Sequence, residues 1–146
     1  MAELAALSGL RPDFVVAPKI ESPEAIREVA ARLPVGVDLW IMIETPLSVL
    51  RLDAIAGEIG AGDVLLIQFG HNDAKFEDPT RYDDPDTAYP QYLMRYVQLA
   101  RDKGATPVLI TPVARLLYDF GSLLDTHARY TLAMQQLATR EHVALI

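Results

Sequence analysis

The residues best placed to do chemistry follow the apolar run Val64-Leu65-Leu66-Ile67. They are Gly70, His71, Asn72 and Asp73, in one unbroken stretch. A buried strand that opens onto a polar loop is where a rigid sheet can carry functional side chains. Asn and Asp at such a place also cap the next turn through side-chain hydrogen bonds, a structural role that stands beside any catalytic one. Ser22 is a second candidate, as a hydroxyl after the first strand. Without a base a serine is a poor nucleophile, and Ser22 precedes Pro23, which suits it to cap a helix. His127 and His142 have no evident partner. His142 falls at a helix C-terminus, where a partly charged imidazole is favourable. The chain has no cysteine, which excludes disulfides, zinc–thiolate sites and thiol nucleophiles.

The elements that position these residues alternate short apolar runs with longer amphipathic ones. Strands are expected at Phe14–Ala17, Leu39–Ile43, Val64–Phe69, Pro107–Ile110 and Val143–Ile146. A helix is expected over Pro23–Leu33, with Ser22 as N-cap and acidic Glu24 in its first turn. Thr45-Pro46 opens another, running to Ile59. Tyr89–Lys103 is a third, with Tyr92, Tyr96 and Leu99 on its apolar face and Gly104 as its C-cap. Asp125–Glu141 is the fourth. Lys75–Asp86 and Thr111–Gly121 read as irregular loops.

Strands apolar on both faces and separated by helices call for a parallel sheet with helices on both sides. The expected fold is a flavodoxin-like three-layer αβα sandwich with five parallel strands in the order 2-1-3-4-5. The alternative is a partial (β/α)-barrel in the order 1-2-3-4-5.

At 146 residues the chain is long enough for one domain with a proper core. A formal charge of −7 argues against nucleic acid, whose binding rests on Lys and Arg. No apolar run nears the roughly 20 residues that span a bilayer. The start Met1-Ala2-Glu3 lacks the basic character of a signal peptide. These features lead to the expectation of a cytoplasmic protein, monomer or homodimer, with no specific partner.

The stretches GDVLLIQFGHND, DDPDTAYPQYLMRYVQLARDKGATPVLITPVAR and DTHARYTLAMQQLATREHVALI resemble the SGNH/GDSL hydrolases. Within these they are similar to the rhamnogalacturonan acetylesterase-like carbohydrate esterases, over Gly62 to Ile146. The resemblance implies that Asn72, in the GHND position, donates a hydrogen bond to an oxyanion. It also implies a Gly-Asp-Ser nucleophile motif and an Asp-x-x-His pair, and neither motif occurs in this sequence. By the same resemblance His127 belongs to the DTH stretch, in a structural or rim contact.

The stretches LRPDFVVAPKIESPEAIREVAARL and LWIMIETPLSVLRLDAIAG resemble instead the citrate lyase β-subunit/HpcH–HpaI aldolase family of metal-dependent barrels, over Ala5 to Gly57. That resemblance implies a Mg²⁺ site on Glu44 and, by the F-G-x-x-D spacing, Asp73. Adjacent strands would bring the two carboxylates within about 4.8 Å of strand spacing, whereas the 2-1-3 order would double it. The two resemblances together lead to the expectation of an engineered chimera. A barrel-derived segment over residues 1–60 would be joined near Gly57–Gly62 to a hydrolase-derived segment over 61–146. Such a scaffold would have no cofactor and no catalytic activity, because triad members act as a unit. Its alternatives are a remnant or truncated carbohydrate acetylesterase, with Ser22 as a replacement nucleophile, and a Mg²⁺-binding lyase-like site.

Overall fold

A computed structural model describes residues 12–43, 47 and 50–146. The chain divides into two compact units, Met1–Ile59 and Gly60–Ile146.

In the first unit, β1 (Phe14–Ala17) and β2 (Asp38–Ile41) form a parallel pair, with Phe14 opposite Asp38 and Ala17 opposite Ile41. Between them runs α1 (Pro23–Ala30). Ser22 caps it as the sequence suggests: its Oγ accepts from the Ala25 N–H at 3.3 Å. Alternation along the strands puts Phe14 and Trp40 on the same face, where their rings stack at 4.6 Å. α2 (Leu52–Ala56) follows. The expected start of that helix at Thr45-Pro46 lies outside the described residues.

In the second unit, β3 (Val64–Ile67), β4 (Thr106–Leu109) and β7 (Ala144–Leu145) form a parallel sheet in that order. α3 (Ala88–Asp102) links β3 to β4, and α4 (Ala128–Glu141) leads into β7. α3 packs on β3, β4 and α4, and α4 on β7. The core is therefore a helix pair on one sheet face, built from Ile67, Leu93, Val97, Leu109, Met134 and Leu137. Tyr89 meets Tyr130 edge-to-face at 5.0 Å. The other face of β3 carries Val64 and Leu66, which are 58% and 42% exposed.

Two expectations need correction. The buried face of α3 is Tyr89, Leu93, Val97 and Ala100, a stripe at four- and three-residue spacing. Tyr92 lies off that stripe, exposed beneath the Arg95 guanidinium. The supposed loop after β4 contains a hairpin, β5 (Tyr118–Asp119) with β6 (Ser122–Leu123). Its two-residue connection, Phe120-Gly121, has φ of +45° and +82°, the primed turn that suits strand twist. Leu116 and Leu117, just before the hairpin, are exposed.

Among the described residues, parallel sheets and four helices bear out a mixed α/β architecture. The neighbouring pairs 1–2, 3–4 and 4–5 of the five expected strands are present. No hydrogen bonding joins the two parallel sheets among the described residues, so the single five-stranded sheet in the order 2-1-3-4-5 is not reproduced. Nor do the described strands close into a barrel. Among the described residues no helix is long and apolar enough to cross a membrane.

Candidate active site

The turn after β3 is built by its carbonyls. The Phe69 carbonyl accepts from the Tyr89 hydroxyl at 3.0 Å. That of Gly70 accepts from the Ala74 N–H at 3.2 Å, and that of Asn72 from the Lys75 N–H at 3.0 Å. The His71 carbonyl accepts from Arg115 Nη2. The Asp73 carbonyl accepts from the Tyr130 hydroxyl at 2.8 Å. That hydroxyl is also 2.8 Å from the Asp83 carbonyl and shares its proton between the two. Five consecutive carbonyls are thus bound to donors from α3, the turn itself, the segment after β4, and α4.

The donors of the turn are treated differently. The Gly70 N–H goes to Asp73 Oδ2 at 2.9 Å. Among the described residues, the backbone N–H groups of His71, Asn72 and Asp73 have no protein acceptor. Successive unpaired N–H groups in a turn form an anion-binding concavity. The side chains of His71 and Asn72 are exposed beside them.

Gly70 is required twice over at this point. Its φ is +117°, and a Cβ would lie 2.6 Å from Pro112 Cγ. Pro112 and Val113, just beyond β4, join Gln68–Asp73 in lining a shallow cleft of about 200 Å³. Phe69 is held by stacking on Tyr96 at 5.1 Å. Burial pushes the pKa of the Tyr130 phenol up to about 12, so it stays a donor. Burial likewise pushes the Tyr89 phenol upward.

Behind the turn lies His127, 3% exposed, with its Nε2 unpaired. Its ring is 5.3 Å from that of His71. Burial, then Arg115, then His71 lower its pKa, against opposing effects of Asp125 and the His71 carbonyl. The sequence suggested a structural or rim contact without an evident partner; the structure places His127 in the interior, with His71 as its neighbour. The Arg115–His71 link also went unread, although both residues lie in the LITPVAR and GHND stretches. Spacing in sequence gives no sign that loops after different strands meet.

The other expected residues fall elsewhere. Ser22 lies in the first unit, with its Oγ committed to the α1 cap and hydrogen-bonded to Glu24. Glu44 lies outside the described residues. Asp73 uses one carboxylate oxygen on the Gly70 N–H, the structural cap that its position allowed. Among the described residues no group of three or more metal-ligating side chains converges. His142 sits at the C-cap of α4 in the left-handed region.

No family model matches the chain. It is 50% identical over 96 residues to a protein of Bacillus subtilis strain 168 named as a probable rhamnogalacturonan acetylesterase, YesY. It is 43% identical over 97 residues to the rhamnogalacturonan acetylesterase RhgT of the same strain. Each match covers 66% of this chain, but only 44% and 40% of the respective relative. The chain thus spans about two fifths of the length of these curated relatives. Among solved structures it is similar to Bacillus subtilis protein YxiM, with a TM-score of 0.55 and 22% identity. That match covers 75% of this chain and 32% of the other, and it concerns the fold alone.

These matches overturn the expectation of an engineered scaffold without catalysis. Half of the residues are identical to one named esterase over two thirds of the chain. That is homology on a scale that a borrowed strand would not produce. None of the comparisons shows a citrate lyase or HpcH component.

Proposed function

We propose that the chain is part of a carbohydrate acetylesterase and that the turn Gly70–Asp73 forms its oxyanion side. The observation that carries this reading is the set of three consecutive N–H groups, at His71, Asn72 and Asp73, that have no acceptor among the described residues, with the Asn72 amide beside them. Hydrolysis of an acetyl ester passes through a tetrahedral intermediate bearing a negative oxygen. Donors already fixed around that oxygen stabilise it without reorganisation. The 50% identity to YesY supports rhamnogalacturonan-type acetylated polysaccharide as the substrate class. Such chemistry needs no metal or cofactor, no nucleic acid and no membrane, and a monomer or homodimer suffices. The nucleophile is not assigned; Ser22 is the candidate to test against.

The test is acetate release from acetylated rhamnogalacturonan and 4-nitrophenyl acetate. It is run alongside backbone NMR of the chain titrated with rhamnogalacturonan oligosaccharide. The expected result is hydrolysis that Asn72→Ala lowers by about 10²–10³-fold in kcat, the usual size for one oxyanion donor. Shifts confined to the amides around His71–Asp73 should accompany it. No acetate release together with no shift at that turn would overturn the reading.

A further inference from the structure

We infer that Arg115 and His127 are positioning residues that set the orientation of Asn72 through the peptide that precedes it. The His71 carbonyl and the Asn72 N–H belong to one planar trans unit, so fixing the oxygen fixes the direction of the N–H. Among the described residues, that oxygen is the only one of the five in the turn held by a charged side chain, the Arg115 guanidinium. A charged donor is the stronger and shorter kind. The buried imidazole of His127 also lies beside this residue, its ring 5.3 Å from that of His71.

His127 is itself well held. Its backbone N–H donates to Asp125 Oδ1 at 3.0 Å, its carbonyl accepts from the Thr131 N–H at 2.9 Å, and Thr126 Oγ1 lies 3.5 Å from its Nδ1. Its Nε2 is buried and has no partner among the described residues. A buried polar atom without a partner is costly and tends to persist where function requires it. Arg115 comes from the segment after β4, and His127 from the start of α4. The His71–Asn72 peptide is thereby registered to two elements at once, not only to its own strand.

The consequence for Asn72 rests on the acetylesterase reading, but the positioning itself can be measured without catalysis. The full chain, labelled with ¹⁵N, is compared with Arg115→Ala and His127→Gln by backbone and side-chain amide relaxation. In the parent the Asn72 N–H is expected to show an order parameter near the rigid value of about 0.85. In both variants it is expected to fall below about 0.6, while Val97, Leu109 and Met134 keep theirs. Where the chain hydrolyses 4-nitrophenyl acetate, the same variants are expected to lower kcat about tenfold with KM little changed. An Asn72 order parameter unaltered in both variants would overturn the inference. So would a loss shared by the core amides, which marks a purely structural role. An inactive parent with the Asn72 response intact would count against the esterase reading alone.

Discussion

Gly70 shows how closely the site depends on one residue. Alanine there would meet both an unfavourable φ and the ring of Pro112. Gly70→Ala is expected to lower stability by about 2–4 kcal/mol, read as a drop in the denaturant midpoint. It should also abolish any shift of the turn amides on adding oligosaccharide. His127 gives a pH dependence. Its folded pKa is depressed by burial, Arg115 and His71, so the unfolded chain binds a proton more readily. The stability it contributes is complete above the unfolded value of about 6.5 and is lost as pH falls through the folded one. Unfolding midpoints measured from pH 8 to pH 4 should decline with acid from about 6.5, and His127→Gln should flatten that part of the curve. Asn72 and Asp73 were legible at this scale, because a strand followed by Gly-His-Asn-Asp is a local pattern. Arg115 and His127 were not, because their significance is a meeting of residues 44 apart or more.

At the scale of elements, the strands and helices of the second unit could be read to within a few residues from apolar runs, Gly104 and the α4 periodicity. The β5–β6 hairpin could not. Its turn places a phenylalanine where Asn or Gly is usual, so the sequence lacks the signal that normally marks a primed turn. The same departure has a cost. Phe120 has a φ of +45° and is fully exposed, at 102%, so its ring gains nothing to offset the strained backbone. Phe120→Asn should raise stability by about 1 kcal/mol, seen as a higher urea midpoint with unchanged circular dichroism. The α3 face was misjudged for a different reason. Tyrosine is apolar enough to mimic a core position, and only packing separates buried Tyr89 from exposed Tyr92.

Across the whole molecule, burial is uneven. The continuous core lies in the second unit, between α3, α4 and the β3–β4–β7 sheet. Among the described residues before Gly60, only Ala17, Ile20, Ile55 and Ala56 are buried. Amide hydrogen exchange should therefore be slowest at Val97, Leu109, Met134 and Leu137, and markedly faster throughout β1 and β2. Equal protection in both units would contradict that distribution. The α/β class was legible because short apolar runs and longer amphipathic stretches alternate along the chain. Strand order was less so, since apolar runs of equal character do not say which neighbours they take. The expectation of a chimera came from two unlike halves and that of lost catalysis from the missing Gly-Asp-Ser and Asp-x-x-His motifs; the identity to named acetylesterases over two thirds of the chain outweighs both.

The Tyr130 hydroxyl holds the carbonyls of Asp73 and Asp83 at the same distance. Together with the Asp83 N–H, which donates to the Asp73 carbonyl at 3.3 Å, it closes the intervening segment into a ring. The two ends of that ring are fixed from outside it, so backbone continuity between them is dispensable. A protease cut between Lys75 and Tyr82 would leave the anion-binding turn anchored, and a circular permutant could begin there. In Tyr130→Phe the same cut would loosen the Asp73 end of the turn, while Tyr89 and Arg115 still hold the carbonyls of Phe69 and His71.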